Sequence, residues 1–364
     1  MTDENKDNPI ISTLPEIDDH AKKQLALFTE PNVDGNTLMG YDIRPRFVHT
    51  RSSKVIPLSV FADKGDRIFE MEDGTVYAIQ PAVLDRDKKK VAIFPGTRES
   101  LVEEAIMGFA SLGPFDSKTA QPGYKYDAAG FAVFFTLNQL RMKMSGREKT
   151  YSHAELNEAL RVLKGAGHYT GTHQDFGDGK LRKADGYGSY IHDLIFVDND
   201  NPDKNIRVDK FICVYLNREA TKLILDGKYK LYDEDFSMRL KSPIARHIYK
   251  KMIQQLKYHP HNINENITMV LKQNQCILES GYQIQENATK RKTAFLNALN
   301  ELVETKRIHP IKKDDVVVIK HHRSIVELEY TVKPTEGMFT YLDQVYERTL
   351  LQQNETEDAQ TKLI

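Results

Sequence analysis

Cysteine and tryptophan are scarce in this chain of 364 residues, which contains two cysteines and no tryptophan. Cys213 and Cys276 alone cannot form a disulfide framework or a four-cysteine zinc site. No run of 18 apolar residues occurs, which argues against a membrane-spanning helix. The first ten residues have neither a basic segment nor an apolar core, so we expect no secretory signal. A reducing cytoplasm is the predicted location.

The common catalytic and metal-binding motifs are missing as well. No G-x-x-x-x-G-K-[ST] segment occurs, so no P-loop is predicted, and no serine or cysteine nucleophile with a positioned base can be nominated. Asp198, Asp200 and Asp203 lack the glycine and glutamate of a calcium loop and indicate a polar turn. Proline separates His259 from His261, which is unsuitable for a strand that presents both to a metal. We therefore predict no enzyme activity, no cofactor and no metal.

Charge is nearly balanced overall but unevenly distributed. Lysine and arginine total 51 against 52 acids, for a net charge of −1. Residues 1–35 carry −5 and the residues from 343 onward carry −3, which leaves about +7 for residues 36–342. A basic body is compatible with a polyanionic partner, because salt screens electrostatic interactions beyond about 10 Å and the acidic ends then do not cancel its charge. The alternative is a solvated surface with acidic tails.

Residues 1–40 are polar, contain three prolines and are predicted to form a flexible arm. The arm includes Gln24, Leu25, Leu27 and Phe28, in a pentapeptide that resembles the Gln-Leu-x-Leu-Phe motif by which bacterial replication proteins bind the sliding clamp. The resemblance implies that these four residues bind the host β sliding clamp. In the alternative interpretation, the segment folds back as a helical turn on its own domain.

Residues 41–95 contain short β-type runs and form a β-rich N-terminal extension in this interpretation. Helix starts are then indicated at Thr97, at Thr136 with Gln139, and at Ser152 with Glu155. Strands are predicted over 169–173 and 190–197, on either side of a turn rich in glycine and lysine. Three helices followed by a β-hairpin is the order of a winged-helix domain, which we assign to residues 96–232.

Residues 233–342 have a similar pattern. Ser242 and Pro243 begin a long helix, 267–273 reads as a short helix, and Asn287 begins a strongly periodic helix. Hairpin strands follow over 316–319 and 325–332, and 343–364 is predicted to be a disordered acidic tail. The predicted fold class is therefore α+β, with two tandem winged-helix domains.

The third helix and the hairpin, or wing, of each predicted module supply the candidate DNA-binding residues. Recognition helices place their first residues against bases and phosphates. In the second module the candidates are Thr289, Lys290, Arg291, Lys292, Lys312, Lys313, Lys320, His322 and Arg323. In the first module they are His153, Asn157, Arg161, Lys164, Lys180, Arg182 and Lys183. Acids dilute the charge of the first module, which leaves dimerisation open as its alternative role.

Three stretches, 94–106, 150–163 and 240–252, together with the order of elements over about 90–335, resemble bacterial plasmid replication initiators. These are iteron-binding proteins built from tandem winged helices. The resemblance implies a non-enzymatic protein that binds direct repeats in double-stranded DNA at a plasmid origin. It also implies recruitment of the host initiator, helicase and clamp, and a homodimer is compatible with it.

Two other functions stay open. A winged-helix transcriptional regulator of plasmid or mobile-element genes would bind an inverted repeat as a stable dimer and would not need a clamp peptide. An enzyme acting on nucleic acid would need a metal or nucleophile constellation that the sequence does not indicate.

Overall fold

A computed structural model describes most of the chain. The described residues are 19–28, 35–49, 55–58, 65–117, 119–145, 150–172, 176–177, 180–181, 186–197, 211–256, 267–282, 287–321, 324–344 and 346–347. His322, Arg323, Arg182, Lys183 and the predicted tail beyond 347 therefore lie outside the described residues. In the described ranges, no helix is both long and apolar enough to cross a bilayer.

Helices and strands are mixed along the chain, which confirms the α+β class. The helices are α1 (Asp19–Phe28), α2 (Thr97–Ala110), α3 (Leu137–Lys143), α4 (His153–Gly165), α5 (Arg218–Leu225), α6 (Glu234–Arg239), α7 (Pro243–Gln255), α8 (Gln273–Glu279) and α9 (Ala288–Glu304). Residues 336–344 and 346–347 are also helical. The strands are β1 (Gly35–Leu38), β2 (Val55–Pro57), β3 (Arg67–Glu70), β4 (Thr75–Gln80), β5 (Ala82–Arg86), β6 (Lys89–Ile93), β7 (Gly123–Asp127), β8 (Gly130–Thr136), β9 (Gly167–Thr172), β10 (Phe176–Gly177), β11 (Lys180–Leu181), β12 (Gly186–Ser189), β13 (Ile191–Val197), β14 (Phe211–Leu216), β15 (Tyr229–Tyr232), β16 (Met269–Lys272), β17 (Val316–His321) and β18 (Ser324–Val332).

Local signals fix most helix starts. The Thr136 and Ser152 side chains accept hydrogen bonds from the Gln139 and Glu155 amides, as the capping boxes predict. Ser242 caps α7 with proline in its first turn, and Asn287 caps α9. Each cap satisfies an amide that the helix itself leaves unpaired, so these starts were readable from the sequence.

The buried side chains form two main cores, and we name the two parts of the chain after them. The first module, residues 19–229, is built around Leu25, Phe28 and the inner faces of α2, α4, β8 and β14. The second module, residues 231–342, is built around α7, α9 and the inner face of the β16-β18-β17 sheet. The two cores meet along β15, close to the predicted boundary at 232/233.

Residues 41–95 are joined to the first module by strand pairing and do not stand apart from it, although Val48, Ile56, Phe69, Ile79 and Phe94 form a third, smaller cluster. Strands β3 and β4 extend the β9-β12 pair to a four-stranded sheet in the order β12-β9-β4-β3. Strands β2, β6 and β5 form a second sheet, and β5 packs along α4. The sequence could not show this, because Tyr77 pairs with Thr170, far along the chain.

The first module departs from the predicted wing. Strand β9 pairs with β12, whereas β13, over most of the predicted second wing strand, pairs with β14 in the β13-β14-β8-β7 sheet. Between β12 and β13, Tyr190 is buried and donates a hydrogen bond to the Arg46 carbonyl. This contact holds the chain where it passes from one sheet to the other.

From α7 to β18 the second module has the order helix, strand, helix, helix, hairpin, with α6 before this run and the helix over 336–344 after it. The helix predicted over 267–273 is wrong, because Met269–Lys272 form β16 and only then does α8 begin. Val270 is 56% exposed and Leu271 is 1% exposed, the alternation typical of a strand. The predicted hairpin is present as β17 and β18.

The predicted flexible arm is also wrong where it is described. Residues 19–28 form α1, and β1 pairs antiparallel with β15. Gln24, Leu25 and Phe28 are 4%, 5% and 0% exposed, so they do not form an exposed docking peptide. Moving apolar side chains from water into the chain's own core lowers the free energy of the folded state. Leu27 lies on the same helix, and its backbone alone is described.

Candidate nucleic-acid interface

The start of α9 brings together the cations predicted to bind DNA. Thr289, Lys290 and Lys292 are exposed, and Arg291 is half-buried. The side chain of Asn287 accepts a hydrogen bond from the Lys290 amide at 3.1 Å, which fixes where the helix begins. Among the described residues, neither Lys290 nor Lys292 forms an ion pair, so both ammonium groups face solvent.

The opposite face of α9 anchors the helix to the second core. Phe295, Leu299 and Leu302 are fully buried, and the Phe295 and Tyr330 rings lie with centroids 5.0 Å apart. Burial of this stripe leaves the other side of the helix in water, since apolar positions recur every three or four residues. The cations are thus held on a rigid element.

The exposed face of α9 also includes polar side chains that the sequence analysis did not identify. Thr293, Asn297 and Asn300 are exposed on the helix after Lys292. No acidic side chain occurs on α9 before Glu301. The exposed part of the first three turns is therefore cationic or neutral. The sequence signal for this face is the spacing of three or four residues between successive polar positions, beginning at Thr289.

The hairpin beside α9 adds part of its predicted basic charge. Lys312, Lys313 and Lys320 are exposed, the first two around a short 3-10 turn that precedes β17. Asp315 accepts a hydrogen bond from the Lys312 amide at 2.8 Å, so the acid shapes the turn. The tip residues His322 and Arg323 lie outside the described part of the chain.

Helix α4 presents a narrower face in the first module. His153 and Arg161 are exposed, whereas Asn157 is half-buried. Lys164 pairs with Asp193 at 3.1 Å and donates a hydrogen bond to the His192 carbonyl. Because α2, α3, β5 and β13 all pack on α4, little of it is left for a partner. Lys180 is in β11, with its backbone alone described, and Arg182 and Lys183 are not described.

A basic hairpin lies beside α4 and was not among the predicted sites. Arg86, Lys88, Lys89 and Lys90 are exposed at the turn between β5 and β6. Asp87 and Lys88 both have positive φ, at 52° and 63°, as a two-residue hairpin turn requires. Since β5 packs along α4, these cations project from a strand that borders the helix.

No protein-family model and no curated protein matches this chain. Among solved structures, a selenomethionine derivative of domains 2 and 3 of RctB is similar with a TM-score of 0.44 and 8% identity, over 80% of this chain and 95% of that one. A second structure, RctB-155-483, has a TM-score of 0.41 and 8% identity, over 83% and 98%. With so few identities, the interface residues are assigned from the geometry of this chain alone.

Proposed function

We propose that this protein binds double-stranded DNA sequence-specifically through two winged-helix modules and initiates replication from direct repeats at an origin. In this proposal it breaks no covalent bond and recruits the host initiator and helicase. One observation carries the proposal: the first three turns of α9 expose cations and polar side chains without acids, on a helix anchored by Phe295.

The chemistry of α9 suits a major groove. Lys290 and Lys292 neutralise phosphates, and the free N–H groups of the first turn add donors for the same anions. Asn297 and Asn300 have the paired donor and acceptor that match the edge of adenine. The order helix, strand, helix, helix, hairpin supports a winged-helix module in which α9 reads bases and the β17–β18 hairpin contacts backbone.

In the first module, the proposal assigns the corresponding roles to α4 and the basic β5–β6 hairpin. His153 and Arg161 would face the groove, and Lys88 and Lys89 would contact phosphate. Two modules in successive major grooves span about 20 bp of one DNA face. Repeats of about that length are therefore the expected target.

A transcriptional regulator is the second candidate, because the burial of α1 removes the feature that separated it from an initiator. An exposed clamp-binding peptide at Gln24, Leu25 and Phe28 would distinguish an initiator from a regulator. In the folded chain they are buried, so that distinction no longer supports the initiator. A regulator would use the same DNA-binding surface on an inverted repeat.

Footprinting on the DNA that flanks the coding region tests the proposal. Protection of tandem direct repeats beside an AT-rich stretch is the result expected of an initiator, and protection of a single palindrome would indicate the regulator. Loss of protection in a Lys290→Gln/Lys292→Gln variant would assign the contact to α9. Absence of any protected segment in the wild-type protein would contradict both candidates.

A further inference from the structure

A polar cavity lies between the two modules, where neither proposed DNA-binding surface is located. Its volume is about 60 Å³. Residues of both modules line it, among them Arg44, Arg46 and Glu103 from the first and Arg246, Lys250 and Glu279 from the second. By the measure that assigns about 10–15 Å³ to one water molecule, the space admits about four to six waters, or one phosphate group with water.

Arg246 is the unusual residue of this cavity. It lies in the first half of α7 and is 5% exposed. Among the described residues, none accepts a hydrogen bond from its Nε or Nη1. Burial lowers the pKa of Arg246, which shows that its charge is poorly solvated. A buried guanidinium with unused donors is costly, so the site favours an anionic partner.

The nearby carboxylates are already in use. Glu104 accepts a hydrogen bond from the Tyr232 hydroxyl at 2.9 Å and pairs with Lys250 at 3.4 Å. Glu301 accepts hydrogen bonds from two backbone amides, those of Lys241 and Ser242. These acids act on Arg246 through space without satisfying its Nε and Nη1 donors.

The three other acids of the cavity have partners of their own. Glu103 and Asp42 pair with Arg46 at 2.6 and 3.1 Å, and Glu279 contacts both His247 and Lys251, at 2.9 and 2.5 Å. The described acids of the cavity thus have cationic partners, whereas the two donors of Arg246 remain unused.

We propose that this cavity binds a single phosphate group, with the Arg246 guanidinium and the Lys250 ammonium as its cationic ligands. Each unused donor of Arg246 shares an edge of the guanidinium with Nη2, and the two N–H groups of one edge match two phosphate oxygens, a geometry that a point charge cannot reproduce. The source is either free inorganic phosphate or the phosphate of a nucleotide. Because both modules line the cavity, the bound group bridges them. This proposal does not depend on DNA binding.

Calorimetric titration of the full chain tests the proposal, with inorganic phosphate in one arm and adenosine 5′-monophosphate in the other, in chloride buffer at constant ionic strength. The wild type is compared with Arg246→Gln and with Arg218→Gln, which removes the same charge from an exposed position. We expect binding by the wild type and the Arg218 variant, and at least tenfold weaker binding by Arg246→Gln.

The two arms identify the source. Binding in the phosphate arm indicates the free ion, and binding in the nucleotide arm alone indicates a nucleotide. No binding in either arm, or equal binding by wild type and Arg246→Gln, would overturn the proposal. Should Arg246→Gln fail to fold, Lys250→Gln replaces it. An unchanged affinity in that folded variant would overturn the assignment as well.

Discussion

The ring of Phe28 meets the ring of Tyr229 edge-on, with centroids 5.0 Å apart and planes at 87°. The Tyr229 hydroxyl also donates a hydrogen bond to the Gln24 carbonyl at 2.7 Å. Helix α1 is therefore fastened to β15 by both an aromatic contact and a hydrogen bond. The segment that resembles a clamp-binding peptide is therefore part of the first core.

Phe28→Ala should lower the free energy of unfolding by about 3–5 kcal/mol, because it empties a fully buried aromatic site. Urea denaturation measures the change. Lys22→Ala, at an exposed position of the same helix, should stay within about 0.5 kcal/mol of the wild type. Equal stability of the Phe28 and Lys22 variants would show that α1 is not part of the core.

Helix starts could be predicted from the sequence because their signals are local. The side chains of Ser152 and Asn287 each accept a hydrogen bond from the backbone amide three residues ahead. Because that partner is so close in sequence, the interaction does not depend on the rest of the fold. The predicted cation Lys290 is exposed because helical periodicity places it on the side of α9 away from Phe295, and Lys292 is exposed because it precedes Phe295, the first buried residue of the helix.

Strand partners and the burial of α1 could not be predicted this way. Periodicity indicates which face of a strand is apolar but not which distant strand lies beside it. The basic hairpin at Arg86–Lys90 was missed because its position next to α4 depends on such a pairing. The leucine and phenylalanine of α1 indicated a need for burial, and only the fold supplies the surface that covers them.

Arg46 and Glu103 form a buried pair whose two halves should be strongly coupled. The pair distance is 2.6 Å, and Asp42 lies 3.1 Å from the same guanidinium. Arg46→Met should cost about 3–5 kcal/mol, because it leaves buried carboxylates without a partner. In thermal or urea unfolding, Arg46→Met/Glu103→Gln should cost less than the sum of the single changes. Simple additivity would contradict the coupling.

Gly281 joins the second module to the first. Its carbonyl accepts a hydrogen bond from the His49 amide at 2.9 Å, its φ is +76°, and an added Cβ would lie 1.8 Å from the Phe47 carbonyl oxygen. Gly281→Ala should therefore lower the free energy of unfolding for two reasons. The left-handed backbone costs alanine about 1–2 kcal/mol, and the clash of its Cβ with the Phe47 carbonyl oxygen adds to that loss. Gly74→Ala is the control, because its φ is +80° and its Cβ would meet nothing within 4 Å. Equal losses of unfolding free energy in the two variants would show that the contact with Phe47 is unimportant.

Glu234 should make stability depend on pH. Burial raises its pKa to about 7, despite Lys143 at 3.1 Å. The folded state thus holds a proton that the unfolded state has released, between about pH 4.5 and 7, and the free energy of unfolding falls as pH rises through that range. The loss is on the order of 3 kcal/mol.

Unfolding of wild type and Glu234→Gln across this pH range measures the effect, because the amide cannot ionise. Buried His168, whose pKa burial lowers to about 3, has the opposite slope below about pH 6.5 and is common to both proteins. The wild type should lose stability relative to the variant as pH rises. A difference that stays constant with pH would refute the assignment, and Glu336→Gln, at an exposed site, is the control.

The salt dependence of DNA binding tests the central claim most directly. The affinity for the footprinted repeat is measured from about 50 to 200 mM salt for wild type, Lys290→Gln/Lys292→Gln, and Arg218→Gln/Lys228→Gln, which removes equal charge at exposed positions, one at the start of α5 and one three residues after its end. If Lys290 and Lys292 contact phosphates, the slope of log affinity against log salt should fall in magnitude by about 2 in the α9 variant and stay unchanged in the control. Equal slopes and affinities in all three proteins would contradict the assignment of α9 as the DNA-binding helix.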